Sequence, residues 1–174
     1  MENIIWFWNL VHYNVFVWRN KVTNFLLSPF FKFLGSSTAR NFYNKRGVLD
    51  PDLIVKDALL NTSNGTNSIR SGGTMGMLLL FICLSVYLIY TGLFDTKITF
   101  GIIHIVIISI IIIPINYFTL FKQRRYLKYF EEFTNLSKDK RSKYSWICFG
   151  FILLVIFFLI GSFMFMDHMF HHKN

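Results

Sequence analysis

Three histidines near the end of the chain have the residue type and spacing of a metal site. His168, His171 and His172 stand at i, i+3 and i+4, so a continuing helix would present them on one face. Three imidazoles on one face suit zinc or copper. The same segment adds thioether ligands that suit Cu(I): Met164, Met166 and Met169. Because chain ends tend to fray, the alternative is that the tail is a polar stop.

Two further polar residues fall inside long apolar segments. His104 is ionisable, and Asn116 follows Pro114, which should kink a helix. Ionisable groups inside a membrane are functional candidates, so one hypothesis has His104 and Asn116 facing the shared lumen of an oligomeric channel. The other is that a neutral His104 makes a structural hydrogen bond to a neighbouring helix.

Motifs of the common enzyme classes are missing from the sequence. It has no phosphate-binding P-loop, no G-x-S-x-G and no H-E-x-x-H. Paired carboxylates occur as Glu131–Glu132, where they balance the charge of a basic segment. Cys83 and Cys148 are expected as buried neutral thiols. We therefore expect a protein that is not an enzyme and needs no cofactor, with zinc or copper at the C-terminal histidines as the one exception.

The composition points to a membrane protein. Of 174 residues, 53% are apolar and 16% are charged, whereas a soluble domain has about 25% charged residues. The 21 phenylalanines exclude a disordered chain, and the two cysteines exclude a disulfide scaffold.

The elements that position these residues follow from where charge is missing. No Asp, Glu, Lys or Arg occurs in the 24 residues after Arg70, the 24 after Lys97 or the 23 after Lys143. About 20 helical residues cross a hydrocarbon layer of about 30 Å. A lone β-strand in lipid would leave its backbone unpaired, and a barrel strand would alternate in polarity. The sequence predicts three transmembrane helices, over about residues 75–94, 98–118 and 144–166.

The placement of the basic residues predicts the orientation. Sixteen Lys and Arg lie before the first span or in the basic loop 122–143, and one each lies in the 95–97 turn and the C-terminal tail. The positive-inside rule then puts the N-terminus in the cytoplasm and the C-terminus outside an inner (plasma) membrane. The same excess favours a bilayer with anionic headgroups as partner, and we expect no nucleic acid.

Residues 1–74 are expected to form a cytoplasmic and interfacial region ahead of a transmembrane domain over 75–174. The window Asn3–Trp18 is aromatic but short, which favours an interfacial helix, and a helix packed against the rest of the chain is the alternative. The residues expected to anchor the chain at the membrane surface are Trp6, Trp8, Trp18, Arg124, Arg125 and Lys128.

Local signals divide the rest of this region. Ser28–Pro29 should break the next apolar stretch into two pieces. Asp50 should cap a short helix that starts at Pro51 and ends near Leu60, and 61–73 should be a loop.

Later in the chain, further patterns concern helix packing. The spacing of Tyr126, Phe130 and Phe133 predicts that the second helix continues past Lys122. Small residues that suit close helix packing occur in the first and third spans: Gly72-x-x-x-Gly76, at the membrane edge, and Gly150 with Gly161 on one face.

The predicted fold is an all-α integral membrane protein in which three transmembrane helices follow interfacial and short cytoplasmic helices. The expected function is that of a non-enzymatic accessory, scaffold or anchoring subunit of a membrane complex, with other membrane subunits or itself as partner. The alternatives are the oligomeric channel or permeability factor built on His104 and Asn116, and a metal-handling protein that uses the C-terminal tail.

Overall fold

The computed structural model describes residues 2–94 and 101–171. Every regular element in these residues is helical. The α-helices, in chain order, are α1 (Glu2–Leu34), α2 (Ser37–Asn44), α3 (Pro51–Leu60), α4 (Thr66–Phe94), α5 (Ile102–Asn116), α6 (Arg125–Thr134) and α7 (Lys138–His171). A π turn (Tyr117–Phe121) and a short 3₁₀ turn (Lys122–Arg124) join α5 to α6.

Three helical segments are long and apolar enough to cross a membrane, which confirms the predicted number. They cover Thr66–Phe94, Ile102–Thr134 and Lys138–Met169. The first begins earlier than expected, so the prediction of a loop over residues 61–73 is wrong beyond Gly65. Tertiary bonds favour the helix there, because Asn67 Nδ2 donates to Asn20 Oδ1 at 2.8 Å and Ser68 Oγ donates to Thr62 O at 2.7 Å.

The helix α1 runs unbroken through Pro29, so the predicted division at Ser28–Pro29 is wrong. Pro29 lacks an N–H and costs the helix one hydrogen bond. Phe31 and Leu34, which follow the proline in the last turn, are buried. The Lys56 ammonium of α3 lies 5.4 Å from the Phe31 ring. Packing of this last turn thus outweighs the local preference of the proline.

The first half of α1 is the most buried stretch of the described chain. Each residue from Trp8 to Phe16 is buried, and α1 contacts α4, α6 and α7. For the window Asn3–Trp18, the structure therefore shows a helix packed against the rest of the chain, which was the alternative to an interfacial helix. The second half differs, because it exposes an apolar stripe at helical spacing: Val22, Phe25, Leu26, Phe30 and Phe33.

The helix α3 begins at Pro51, as expected, but Asp50 does not cap it. Asp50 adopts a left-handed backbone (φ 49°), and its side chain makes no cap hydrogen bond. Asp52 is the engaged carboxylate, with Arg40 at 3.3 Å and Lys56 at 3.6 Å. Burial opposes its ionisation, but the hydrogen bond from Arg40 and the two positive charges outweigh that effect and lower the pKa of Asp52.

The second span does not continue as one straight helix past Lys122. Gln123 and Arg124 have positive φ angles of 56° and 52°, which turn the chain before α6. Helical spacing beyond the turn is confirmed, because α6 buries Tyr126, Phe130 and Phe133. The predicted basic loop 122–143 therefore contains the whole of α6 and the start of α7.

The most extensive helix contact is between α4 and α7. It depends on Gly92, where an added Cβ would stand 3.2 Å from the Phe165 ring and 3.5 Å from the Met166 Cα. Gly150 and Gly161, which we expected to pack, have no atom within 4 Å of such a Cβ. The close approach is thus made by a glycine of α4, facing bulky residues of α7.

Substitution of Gly92 by leucine should separate α4 from α7. A larger side chain has no space beside Phe165 and Met166, and overpacking typically costs about 1–3 kcal/mol. We expect a lower melting temperature in detergent for Gly92→Leu. Gly161→Leu adds the same group where there is space, so it should melt with the parent; equal melting of the two variants would contradict this contact.

Candidate functional site

The described chain has one concentrated set of buried polar groups, and α1 carries its centre. Asn9 and His12 are 0% exposed and Asn14 is 5% exposed. In the sequence these residues only interrupt an aromatic window. We call Asn9, His12 and Asn14 with their direct partners the α1 polar core.

Asn9 and Trp8 bind α1 to the end of the second span. The Asn9 amide donates to Thr119 O of the π turn at 3.1 Å and to Ile5 O of its own helix at 2.8 Å. The Trp8 indole donates to Asn116 Oδ1 at 3.4 Å. A buried backbone carbonyl needs a donor, and Asn9 supplies one to the π turn.

Asn116 is buried by α1 and α4. Its exposed fraction is 9%, and its Nδ2 lies 3.3 Å from the position of a Cβ at Gly76. The Phe121 ring fills the space at Gly72, within 2.6 Å of such a Cβ. Gly72 and Gly76 both lie in α4. Because they have no side chain, the residues after Pro114 can approach α4 closely.

His12 lies between α4 and the aromatic face of α6. Its Nε2 is 2.9 Å from Ser71 Oγ, and the Ser71 hydroxyl donates to Ser68 O at 2.8 Å. Ser71 Oγ thus bridges His12 Nε2 and the Ser68 carbonyl. The ring packs against Phe130 and Tyr126 at 5.0 and 5.7 Å between centroids.

Burial lowers the pKa of His12 from 6.5 to about 4, and the Ser68 backbone counteracts only part of that shift. His12 lies in α1, outside the three candidate spans. Its imidazole is therefore neutral at pH 7. The Nδ1 atom of His12 and the Oδ1 atom of Asn9 have no hydrogen-bond partner among the described residues.

Asn14 completes the α1 polar core on the side of α7. Its amide donates to Leu10 O at 2.9 Å and to Cys148 Sγ at 3.4 Å. Cys148 is buried as a free thiol, whereas Cys83 is half-buried. The three polar residues of α1 thus bind three different elements: the π turn, α4 and α7.

The indole N–H groups of the three tryptophans expected as membrane anchors make hydrogen bonds within the protein. Trp8 is buried, and the N–H of Trp6 donates to Glu132 Oε1 at 3.1 Å. The N–H of Trp18 donates to Ser145 Oγ at 3.1 Å. Trp6 and Trp18 are half-buried, and anchoring of the chain at the membrane surface by these residues stays a prediction.

The basic residues expected as anchors lie at the start of α6. Arg124 and Lys128 are exposed, and Arg125 donates to Phe118 O at 3.3 Å. Their contact with anionic headgroups stays a prediction.

His104 lies in the first turn of α5. Its Nδ1 accepts from the Gly101 N–H at 3.2 Å, and its ring packs against Tyr87 at 5.3 Å. It borders an apolar groove of about 480 Å³ between α4 and α5, walled mainly by isoleucine and tyrosine side chains. This hydrogen bond is made to the start of its own helix, so a bond from His104 to a neighbouring helix stays a prediction.

The proposed C-terminal metal site falls mostly outside the described residues. His168 is exposed at the end of α7, whereas the side chain of His171 and all of His172 lie outside the described part. Within the described part, no three His, Cys, Asp or Glu side chains are grouped to hold a metal. Zinc or copper binding by His168, His171 and His172 stays a prediction.

The burial of His12 predicts a pH-dependent stability. Below pH 6.5 the unfolded chain binds a proton that the folded chain, with its pKa of about 4, does not. Stability should therefore fall as the pH falls from 6.5 to 4, by up to about 3 kcal/mol. Melting temperatures in detergent above about pH 5, where most carboxylates are ionised, should fall less for His12→Gln than for the parent. Parallel falls would contradict a neutral buried His12.

Comparison with known proteins adds no relative to this picture. No protein-family model, curated protein or solved structure matches the chain. A function has to be argued from the residues and their geometry.

Proposed function

We propose that the protein is a non-enzymatic accessory, scaffold or anchoring subunit of a membrane complex. It inserts into an inner or plasma membrane by three spans, with its N-terminus in the cytoplasm and its C-terminus outside. The length and apolar character of the three helices support insertion. The uneven placement of Lys and Arg supports the orientation.

The use of the buried polar groups is the observation that carries this proposal. Asn9, His12 and Asn14 each bind a different element of the chain. A polar group buried in apolar surroundings is costly unless it is paired, and once paired it fixes its neighbours. The hydrogen bonds of these residues therefore hold α1 in a fixed position against the ends of the spans.

The buried hydroxyl groups of the spans are also hydrogen-bonded, but within their own helices. Ser85, Thr91 and Ser162 are buried, and each hydroxyl donates to a carbonyl of its own helix at 2.7–2.9 Å. Asn116 is bound by Trp8. A channel that used Asn116 would first have to release that side chain, so the geometry favours the scaffold over the permeability factor.

The outward surface of α5 supports association with another membrane protein. In the most apolar 18-residue window of the span that contains it, 11% of the residues are buried. The exposed isoleucines include Ile103, Ile107, Ile110, Ile113 and Ile115. Partner helices in a membrane bind through van der Waals packing of such surfaces, and we assign the partner-facing side of the protein to this helix.

Site-specific photo-crosslinking tests the partner. A photoreactive residue at Ile110 or Ile113, which are 65% and 67% exposed, should give discrete protein adducts in native membranes. The matched control is Ile112, one position away but 7% exposed, which should react only within its own chain. A chain that purifies as a lone monomer and gives no protein adduct at either exposed position would overturn the scaffold.

Labelling of single cysteines tests the orientation. With Cys83 and Cys148 replaced by serine, Asp167→Cys should react with a membrane-impermeant thiol reagent on intact cells. Lys45→Cys, exposed after α2, should react only after the membrane is permeabilised. The reverse pattern would reject the proposed orientation, and labelling of both positions in intact cells would reject the three-span arrangement.

A further inference from the structure

A basic groove lies between α1 and the first turns of α7. It has a volume of about 550 Å³, and its cations come from both helices: Lys21 from α1, and Lys138 and Arg141 from α7. Tyr13, Ser142 and Trp146 are among the other residues that line the groove. The groove is therefore concave, lined by polar and aromatic groups, and positively charged.

Among the described residues, none of the three cations forms an ion pair. The ion pairs in residues 2–94 and 101–171 join Arg40 and Lys56 to Asp50 and Asp52, far from this groove in the sequence. Asp139 neighbours Lys138 in the sequence, but it does not line the groove. The groove also adjoins the start of a 34-residue helix, whose dipole adds positive potential. These features suit an anion.

A second, apolar groove adjoins the first. Ser145 and Trp146 belong to both, and Trp18 and Phe149 form the rest of the second one, which has a volume of about 230 Å³. The bond from the Trp18 indole to Ser145 Oγ fixes one wall. Trp146 is 71% exposed and packs edge-on against Phe149 at 5.9 Å. The charged space thus leads directly into an aromatic one.

We propose that these joined grooves bind one anionic phospholipid. Lys21, Lys138 and Arg141 hold the headgroup phosphate, and an acyl chain lies along Trp18, Trp146 and Phe149. The position fits, because Lys143 is the last charge before the apolar window 144–166. A free phosphate would use the cations alone, whereas a lipid also covers the aromatic walls. The inference rests on the proposed membrane insertion, to which it adds a specific lipid site.

Fluorescence quenching in nanodiscs tests the site on the full chain. The nanodiscs are made of zwitterionic phosphatidylcholine with a low fraction of lipid brominated on its acyl chains, either phosphatidylglycerol or phosphatidylcholine. At equal fraction, the brominated phosphatidylglycerol should quench more strongly, with about a tenfold or greater preference. The Trp146→Phe variant keeps the aromatic wall but should lose most of the difference, because it removes the exposed reporter.

Two triple variants separate the groove from general charge. Lys21→Gln with Lys138→Gln and Arg141→Gln should reduce the preference to within about twofold of unity. Lys45→Gln with Arg46→Gln and Arg70→Gln removes equal charge at exposed positions outside the groove and should retain the tenfold preference. Circular dichroism and melting in detergent check that both variants are folded. An equal loss in the two variants would reject the groove as a site.

Further outcomes distinguish the sources of the effect. If glycerol phosphate binds the parent in detergent as tightly as short-chain phosphatidylglycerol does, the acyl chain adds nothing and the lipid assignment is wrong. If the parent reconstitutes but quenches equally with both lipids, the lipid site is rejected while membrane insertion stands. If the parent fails to enter nanodiscs and is extracted from membranes by carbonate, the proposed function itself is rejected.

Discussion

The hydrogen bonding of three polar side chains on α1 is the constraint on which the rest of the structure depends. Asn9, His12 and Asn14 lie where water is excluded, so each lost bond leaves a group whose desolvation costs about 1–3 kcal/mol. Their partners belong to separate elements, the π turn, α4 and α7. One helix therefore sets the relative positions of all three spans at one end. The far ends depend instead on the contact of Gly92 with Phe165.

The irregular backbone after Pro114 follows from the same constraint. A regular helix satisfies its own carbonyls, whereas the π turn presents Thr119 O to Asn9 at 3.1 Å. The positive φ angles at Gln123 and Arg124 then turn the chain so that α6 lies along α1. That turn brings Phe130 against His12, which closes the apolar surroundings that keep the imidazole neutral. The kink and the histidine are thus parts of one arrangement.

The spans could be predicted from the sequence because lipid leaves a chain few choices. A window of 23 or 24 residues without charge has to be helical to satisfy its backbone, and no tertiary information is needed. The burial of the first half of α1 inside the protein could not be predicted in this way. Its window had no single polar face, a pattern typical of a helix buried on all sides, but which helices cover it depends on the turn at Gln123 and Arg124. The continuity through Pro29 likewise depends on distant partners of Phe31 and Leu34.

The interfacial role expected for the start of α1 fits its second half better. The three indole N–H groups of residues 3–18 make hydrogen bonds within the protein, and Trp8 is buried. From Val22 to Phe33 the exposed apolar residues recur every three or four positions, with Lys21 and Lys32 at the two ends. An exposed apolar stripe with flanking lysines is typical of a helix that lies in a membrane interface. Because Lys21 also lines the basic groove, this half of α1 and the start of α7 would meet the same layer of headgroups. On the proposed membrane insertion, the buried half of α1 would fix the depth at which the exposed half lies.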